Sequence, residues 1–249
     1  MPTTETITEL PVDEGEMTVV TYAPTDGAPR PAIILLHSAT GLEPMMLEIA
    51  QGLAEEGFVV AAPDTFHHAG RMLTAPHGAT VEESMALRAG MTNAGHLSDM
   101  NALVRHLQAQ SYVQPGPVGI TGFCLGGRIS FLAVSQGVGF GPSVLFYPTR
   151  LVESDPAVPG SPAPIDSATG VTEQMLIFFP ELDGQNPPAN IATIRAALAH
   201  APVESHVVLG ANHGFAQPKD HRFDAVEGPR AWQQTVAFFA KHLPQAQVA

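Results

Sequence analysis

The stretch Gly122-Phe123-Cys124-Leu125-Gly126-Gly127 decides how this chain folds. An apolar run at 118–121 leads into it, and residues 128–134 follow with a composition compatible with a helix. A sharp strand-to-helix turn needs residues without a Cβ on both sides of its central residue, because strand and helix pass closely there. The pattern therefore predicts a turn that holds the Cys124 side chain above a sheet, at the N-terminus of a helix.

Such a turn is the nucleophile elbow of the α/β-hydrolase fold, with cysteine where serine usually stands. Backbone N–H groups and the dipole at a helix N-terminus stabilise an anion, and both a thiolate and the oxyanion of acyl transfer are anions. A free cysteine is also a common buried packing residue. The flanking glycines and the strand-before, helix-after context favour the elbow for Cys124.

The rest of the chain repeats apolar runs with helical segments between them, which predicts a mainly parallel sheet wrapped by helices on both faces. The predicted strands are an edge strand at 17–22, buried strands at 32–36, 58–62, 118–123, 143–147 and 175–179, and a last strand at 207–209. No segment is typical of a linker between domains, and 156–170 is interpreted as a long surface loop. We therefore expect one doubly wound α/β-hydrolase domain over 1–249.

Composition and charge exclude several classes of function. The formal charge of −13 argues against nucleic acid and anionic membrane surfaces as partners. The single cysteine excludes an intramolecular disulfide and fits a reducing compartment. Residues 1–11 are polar and acidic, unlike a signal peptide, and no apolar run approaches the roughly 20 residues of a membrane-spanning helix. The sequence predicts a cytoplasmic protein.

A nucleophilic cysteine needs a base, and the base needs a group that orients it. In this fold the chain order is nucleophile, acid, histidine, with each partner after a later strand. Asp183 follows the strand predicted at 175–179, and His213 follows the strand predicted at 207–209. Cys124, Asp183 and His213 are therefore the candidate catalytic residues, and Glu181 remains an alternative acid.

An oxyanion hole in this fold uses the N–H of the residue after the nucleophile and a second N–H from the loop after an early strand. The first donor is Leu125. The second lies in the loop that follows the strand at 32–36, and Ala39 is the candidate there.

With these residues in place, the sequence resembles the dienelactone hydrolase family. The matching stretches lie at 36–42, 61–64, 118–127, 182–184 and 212–215, within a core of about 17–243. The resemblance implies a single α/β-hydrolase domain that hydrolyses a small-molecule lactone or ester. It further implies Cys124 as nucleophile, His213 as base and later acid, and Asp183 as the residue that orients His213. It implies no metal and no organic cofactor.

The chain departs from the family's pattern around the substrate. Ser38, with His37 beside it, stands where the family places a glutamate that helps to form the thiolate, and Gln217 stands in the region of a substrate-binding arginine. Arg88 is a candidate substitute for a second such arginine. We expect His37, Ser38, Arg88 and Phe215 to contact the substrate.

Three histidines follow the strand at 58–62, namely His67, His68 and His77. A metal site needs several ligands at compatible spacing. Adjacent histidines point in different directions on most backbones. Lining of the substrate pocket and a solvated loop are therefore both favoured over metal binding.

The sequence supports one main function and leaves two alternatives. The main hypothesis is hydrolysis of a lactone or carboxylic ester through a thioester on Cys124. A thioesterase or general carboxylesterase on the same triad is one alternative, and a member that binds a small molecule without converting it is the other. The sequence does not determine the oligomeric state.

Overall fold

The computed structural model describes residues 1–70, 72, 74, 81–155 and 161–244, without the side chains of residues 81, 82 and 84. Its strands are β1 (Thr3–Val12), β2 (Gly15–Pro24), β3 (Ala32–Leu36), β4 (Val59–Pro63), β5 (Val118–Phe123), β6 (Phe140–Phe146), β7 (Met175–Pro180) and β8 (Val203–Val208). They form a single 8-stranded sheet in the spatial order β1-β2-β4-β3-β5-β6-β7-β8.

The sheet is parallel from β4 through β3 to β8, and antiparallel where β1 and β2 join it. Every residue of β3, β4 and β5 is buried. A strand covered on both faces has no polar side to alternate with, which is why these segments are continuous apolar runs in the sequence. The predicted mainly parallel α/β architecture is confirmed.

The helices are α1 (Pro44–Glu55), α2 (Val81–Leu87), α3 (Asn93–Gln108), α4 (Leu125–Gln136), α5 (Pro188–Ala197) and α6 (Glu227–His242). One apolar cluster joins the sheet to α3, α4 and α5 through Met100, Ile129 and Ile191. The other cluster joins the opposite face to α1 and α6 through Ile49 and Phe239. Helices therefore cover both faces, as the fold class requires.

The prediction of an edge strand at 17–22 is wrong. The strand predicted as an edge at 17–22 lies inside the sheet, between β1 and β4. The edge strand at this end of the sheet is β1, which pairs with β2 along its whole length. Most of β1 is exposed or half-buried. Because it packs little apolar surface, its sequence carries no pattern from which a strand could be predicted.

Two other boundaries differ from the sequence predictions. The last strand starts earlier than predicted, at Val203, and its exposed face explains the weak apolar signal there. Part of the segment interpreted as a long loop forms a 3-10 helix at Pro164–Gly170, while 156–160 lie outside the described residues. No helix among the described residues has the length and apolar character needed to cross a membrane.

Candidate active site

The turn between β5 and α4 holds Cys124 in a backbone conformation that side chains rarely adopt, with φ 55° and ψ −109°. A Cβ at Gly122 would lie 2.4 Å from the backbone of Gly126, and a Cβ at Gly126 would lie 2.4 Å from the carbonyl oxygen of Leu36. Both positions therefore require glycine. The Cys124 amide donates a hydrogen bond to the carbonyl of Phe146 at 3.0 Å, which fixes the turn to the neighbouring strand. The geometry is that of the predicted elbow.

Two loops at the carboxyl edge of the sheet bring an aspartate and a histidine to Cys124. Asp183 follows β7 and His213 follows β8. His213 Nδ1 lies 3.0 Å from Asp183 Oδ2, and the Cys124 thiol is hydrogen-bonded to the same ring. Because Nδ1 faces the carboxylate, Nε2 is the ring nitrogen left for the sulfur. The structure thus brings together the three residues that the chain order selected.

The electrostatics of this group favour a charge-separated pair. Burial raises the pKa of the Cys124 thiol, but the positive His213 ring, its hydrogen bond and the amides of Leu125 and Ala39 outweigh burial and lower that pKa. Burial lowers the pKa of His213, but the Cys124 sulfur and the Asp183 carboxylate outweigh it and raise that pKa to about 10. Both shifts favour a thiolate beside an imidazolium, which is the reactive form of a cysteine nucleophile.

The two amides predicted for the oxyanion hole both contact the nucleophile. The N–H groups of Leu125 and Ala39 donate hydrogen bonds to the Cys124 sulfur. Leu125 is the first residue of α4, and Ala39 lies in the loop after β3. Donors that reach the sulfur before a substrate binds lie beside any carbonyl that the sulfur attacks.

The Asp183 carboxylate is held by two groups that the sequence analysis did not assign to the site. The Gln185 N–H donates to Asp183 Oδ1 at 2.9 Å, and Asn186 Nδ2 donates to Asp183 Oδ2 at 2.9 Å. Burial raises the pKa of Asp183, but bonds from His213, Asn186 and Gln185 outweigh it and lower that pKa. Asn186 thus holds the carboxylate, and the next residue, Pro187, is the N-cap of α5.

Glu181, the alternative acid, has a different partner. Its carboxylate accepts a hydrogen bond from the Gly210 N–H at 2.8 Å. This contact ties the loop after β7 to the loop after β8. The carboxylate that contacts His213 is that of Asp183.

Tyr147 is a second residue of the site that the sequence did not reveal. It follows β6 with φ 38°, in the left-handed region, and its ring centroid lies 4.7 Å from that of His213. Its hydroxyl donates to Gln217 Oε1 at 3.1 Å. Burial, followed by the nearby Cys124, raises the pKa of Tyr147 well above its ordinary value, so the ring stays neutral beside the histidine.

The Cys124 sulfur opens into a pocket of about 560 Å³. Ser38 lines this pocket, as expected of a substrate contact, and its hydroxyl lies 2.7 Å from Thr40 Oγ1. The other lining residues come from the loop after β3, from α1 and from the two loops of the triad: Ala39, Thr40, Glu43, Pro44, Met45, Gln185, His213, Gln217, Lys219, Asp220, His221 and Arg222.

Two expected substrate contacts are corrected because their side chains are buried away from this pocket. His37 is 0% exposed, its Nδ1 donates to the Ser38 carbonyl at 2.7 Å, and its Nε2 accepts from the Thr65 N–H at 3.1 Å. Phe215 is also 0% exposed and packs edge-on against Tyr147. The His37 ring therefore ties the loop after β3 to the loop after β4, and Phe215 belongs to the apolar core.

The expected role of Arg88 is corrected as well. Its guanidinium forms an ion pair with Asp155, and it lines a small separate cavity with His96 and Arg128. The arginine that lines the catalytic pocket, together with Lys219, is instead Arg222, whose Nε and Nη2 donate to the two carboxylate oxygens of Asp220 at 2.9 and 2.8 Å. No signal in one sequence marks Arg222, because only the folded loop brings it to Cys124.

The histidines after β4 form a separate polar cluster. His67 Nε2 lies 3.0 Å from Asp99 Oδ2, and the His68 ring packs edge-on against His67 at 5.5 Å. His77 lies outside the described residues. In the part of the chain that the structure describes, no three or more His, Cys, Asp or Glu side chains are grouped as metal ligands.

Comparisons with known proteins bear on both the sequence and the fold. A model of the dienelactone hydrolase family matches residues 17–243. A Synechocystis protein with the provisional name carboxymethylenebutenolidase is 26% identical over 218 residues, covering 86% of this chain and 87% of its own. A Bradyrhizobium protein, provisionally named a lactonase acting on 2-oxo-3-(5-oxofuran-2-ylidene)propanoate, is 27% identical over 216 residues, covering 86% of this chain and 84% of its own.

Solved structures share the fold. A crystal structure of a Klebsiella pneumoniae protein, provisionally described as a dienelactone hydrolase, superposes with a TM-score of 0.88 at 22% identity, covering 97% of this chain and 100% of its own. A dienelactone-hydrolase-like promiscuous phosphotriesterase from metagenomic libraries superposes with a TM-score of 0.75 at 19% identity, covering 96% of this chain and 99% of its own. At these identities the likeness establishes the fold, and the family match confirms the resemblance seen in the motifs.

Proposed function

The chain belongs to the dienelactone hydrolase family, and we propose that this hydrolase cleaves a carboxylic ester or lactone through Cys124, His213 and Asp183. One observation carries the proposal. The Cys124 sulfur is held between an imidazole backed by a carboxylate and two backbone amides, beside an open pocket. Acyl transfer needs this combination of nucleophile, base and oxyanion donors.

In the first half of the reaction, the Cys124 thiolate attacks the carbonyl carbon of the ester. The negative charge that develops on the carbonyl oxygen is stabilised by the N–H groups of Leu125 and Ala39. The tetrahedral species collapses as the carbon–oxygen bond to the leaving group breaks. The His213 imidazolium gives its Nε2 proton to the departing oxygen, which leaves an acyl thioester on Cys124 and a neutral imidazole.

In the second half, water is the nucleophile and His213 is the base. Neutral His213 accepts a proton from water as the water oxygen attacks the thioester carbonyl. Collapse of the second tetrahedral species breaks the carbon–sulfur bond and releases the carboxylic acid. The thiolate–imidazolium pair is then restored. Asp183 keeps Nδ1 of His213 protonated throughout, so Nε2 is the nitrogen that exchanges the proton.

The pocket supports a small-molecule substrate. Its lining mixes apolar, amide and charged side chains around one sulfur, on a scale that fits a small ester or lactone rather than a polymer. The lowered pKa of Cys124 favours an enzyme over a non-converting binder, because binding alone does not require a thiolate. A reactive thiol is preserved in a reducing compartment, which supports the cytoplasm as its location.

The substitution Cys124→Ala tests the proposal. We expect kcat/KM for p-nitrophenyl acetate to fall by about 10³-fold or more, as when an essential member of a catalytic triad is removed. The melting temperature should change little, because alanine occupies less space at the same turn. Residual activity within tenfold of the unmutated enzyme would contradict the proposal.

A labelling experiment and a substrate panel separate the alternatives. Iodoacetamide should alkylate Cys124 near neutral pH faster than it alkylates free cysteine, because the thiolate is already formed. A rate no faster than that of free cysteine would favour a non-catalytic binder. A panel of aryl esters, acyl thioesters and unsaturated lactones then separates a lactonase from a thioesterase or general carboxylesterase.

A further inference from the structure

A second cavity, of about 300 Å³, lies between α1 and α6. From α1 it is lined by Met45, Glu48, Ile49 and Gly52, which share one helix face because residues three and four apart are neighbours on a helix. The opposite wall is formed by the segment before α6 and the start of that helix, through Ala216, Pro218, Phe223, Gly228, Pro229 and Trp232. Apart from Glu48, the lining carries no charged side chain, so this cavity suits an apolar group.

The apolar cavity adjoins the catalytic pocket. Met45 lines both, and Pro218 lines the cavity between Gln217 and Lys219, which line the pocket. Where the two meet, Lys219 Nζ lies 2.5 Å from Glu48 Oε1, and both side chains are 58% exposed. Exposed ion pairs of this kind contribute little to stability, so the two side chains separate at low cost.

The position of His213 determines which part of an ester faces the cavity. The leaving group must lie next to Nε2 of His213, which donates the proton, and the Gln185 amide lies 3.5 Å from that nitrogen. Met45 belongs to a different wall, which continues from the oxyanion loop of Ala39 into α1. An acyl chain whose carbonyl oxygen lies at the Ala39 amide can extend along this wall past Met45 toward the apolar cavity.

We propose that the apolar cavity receives an aliphatic acyl chain, so that esters of medium-chain acids are preferred over acetates. This inference rests on the proposed ester hydrolysis and adds the substrate class. Moving one methylene from water into an apolar site favours binding by about fourfold. A chain of several methylenes that reaches the cavity should therefore raise kcat/KM by at least about tenfold over acetate.

Gly52 offers a clean test because it lies in the apolar cavity and not in the catalytic pocket. A Cβ at this position meets no atom within 4 Å, so a larger side chain extends into free space. Replacing a glycine inside a helix also favours the helix, which protects the fold of the variant. Gly52→Leu places a side chain in the cavity and narrows it, and Gly52→Ala is the matched control with almost no added volume.

The measurement compares p-nitrophenyl octanoate with p-nitrophenyl acetate, which share one leaving group. We expect the unmutated enzyme and Gly52→Ala to prefer octanoate by about tenfold or more. Gly52→Leu should lose that preference while its kcat/KM for acetate stays within about twofold, since the triad is untouched. Equal ratios in all three proteins, with acetate still hydrolysed, would overturn the acyl-chain proposal and leave the proposed function standing.

Binding can be tested without catalysis through Trp232, the only tryptophan of the chain, which lines the cavity. In Cys124→Ala, titration with decan-2-one should change Trp232 fluorescence saturably, and adding Gly52→Leu should abolish the change. If no ester is hydrolysed, the proposed function fails. The fluorescence titration then still decides whether the cavity accepts an aliphatic chain. An unchanged signal in Cys124→Ala would reject the proposal that the cavity receives an acyl chain.

Discussion

Two histidine–aspartate pairs of equal length lie in different parts of this molecule. His213 and Asp183 at the carboxyl edge of the sheet are 3.0 Å apart, and so are His67 and Asp99, between the loop after β4 and α3. In both pairs burial lowers the pKa of the histidine and the aspartate raises it. The aspartate is the largest influence on His67, whereas His213 is also raised by Cys124.

What differs is the other side of the imidazole ring. His213 contacts the Cys124 thiol and lines a pocket of about 560 Å³. The ring of His67 instead packs against His68. An imidazole oriented by a carboxylate is therefore not enough for catalysis. It acts on a substrate only where a nucleophile and open space lie at its second nitrogen.

The largest expected difference in activity between the two pairs comes from neutralising the aspartate of each pair, Asp183 or Asp99. Asp183→Asn should lower kcat/KM for p-nitrophenyl acetate by about 10³-fold or more, because an amide stabilises neither the imidazolium nor the required tautomer. Asp99→Asn is the matched variant, and its activity should stay within about threefold while it loses about 1–3 kcal/mol of stability through a weakened buried hydrogen bond. Steady-state kinetics and chemical unfolding measure both effects. Equal loss of activity in the two variants would contradict the conclusion that only the His213–Asp183 pair acts in catalysis.

A smaller effect is expected from the residue that holds Asp183. Asn186→Ala removes the 2.9 Å bond to Asp183 Oδ2 without touching His213. We expect kcat to fall by about tenfold, with KM little changed, because a less constrained carboxylate orients the base less well. Asn186→Asp should not restore activity, since it places a second negative charge beside Asp183. Unchanged kcat in Asn186→Ala would show that the other contacts of Asp183 suffice.

The smallest effect is a shift in the pH dependence of Cys124 alkylation. The pKa of Cys124 lies below the ordinary thiol value of 9.0, so the rate should reach half its maximum below pH 9.0 and fall as acid protonates the thiolate. Asp183→Asn should move this midpoint upward, because a weaker imidazolium stabilises the thiolate less. Asp99→Asn should leave it in place. If the midpoint is the same in Asp183→Asn as in the unmutated enzyme, the Asp183 carboxylate does not contribute to thiolate formation.

The His213 imidazolium and the Cys124 thiolate also make the free energy of unfolding depend on pH. The pKa of His213 is raised from 6.5 to about 10, so its stabilising contribution is complete below about pH 6.5 and is lost as the pH rises through 10. The pKa of Cys124 is lowered, so its contribution is present above its ordinary value and is lost as the pH falls through the lowered value. Both ions coexist between the two folded-state values, where reactivity should be highest.

The parts of the fold that could be predicted are those with a strong local signature. The buried strands β3, β4 and β5 are continuous apolar runs, and the elbow glycines are spaced as the close passage of β5, α4 and β3 requires. Strand β1 was not predicted from the sequence, because most of its residues are exposed or half-buried and show no apolar pattern. A strand held by backbone pairing to β2 needs no apolar pattern.

The candidate site divides in the same way. Cys124, Asp183 and His213 follow from the elbow and the chain order, because parallel strands end at one edge of the sheet. The sequence did not predict the roles of Tyr147, Asn186 and Arg222, since those roles depend on which side chains the loops bring together. His37 and Phe215, which lie beside Ser38 and two residues after His213 in the sequence, were expected to contact the substrate. Neighbouring residues on a strand or loop point in different directions, and these two point into the core.

The amino-acid sequence by itself determined the α/β architecture, the place of the reactive sulfur and the order of its partners. These depend on apolar periodicity and on glycines whose spacing is set by backbone sterics. Only the tertiary structure decided the ionic state of the sulfur, the neighbours of the carboxylate and the shape of the two adjoining cavities. Burial, hydrogen bonding and cavity walls arise from side chains far apart in the chain, and no local pattern encodes how closely they approach.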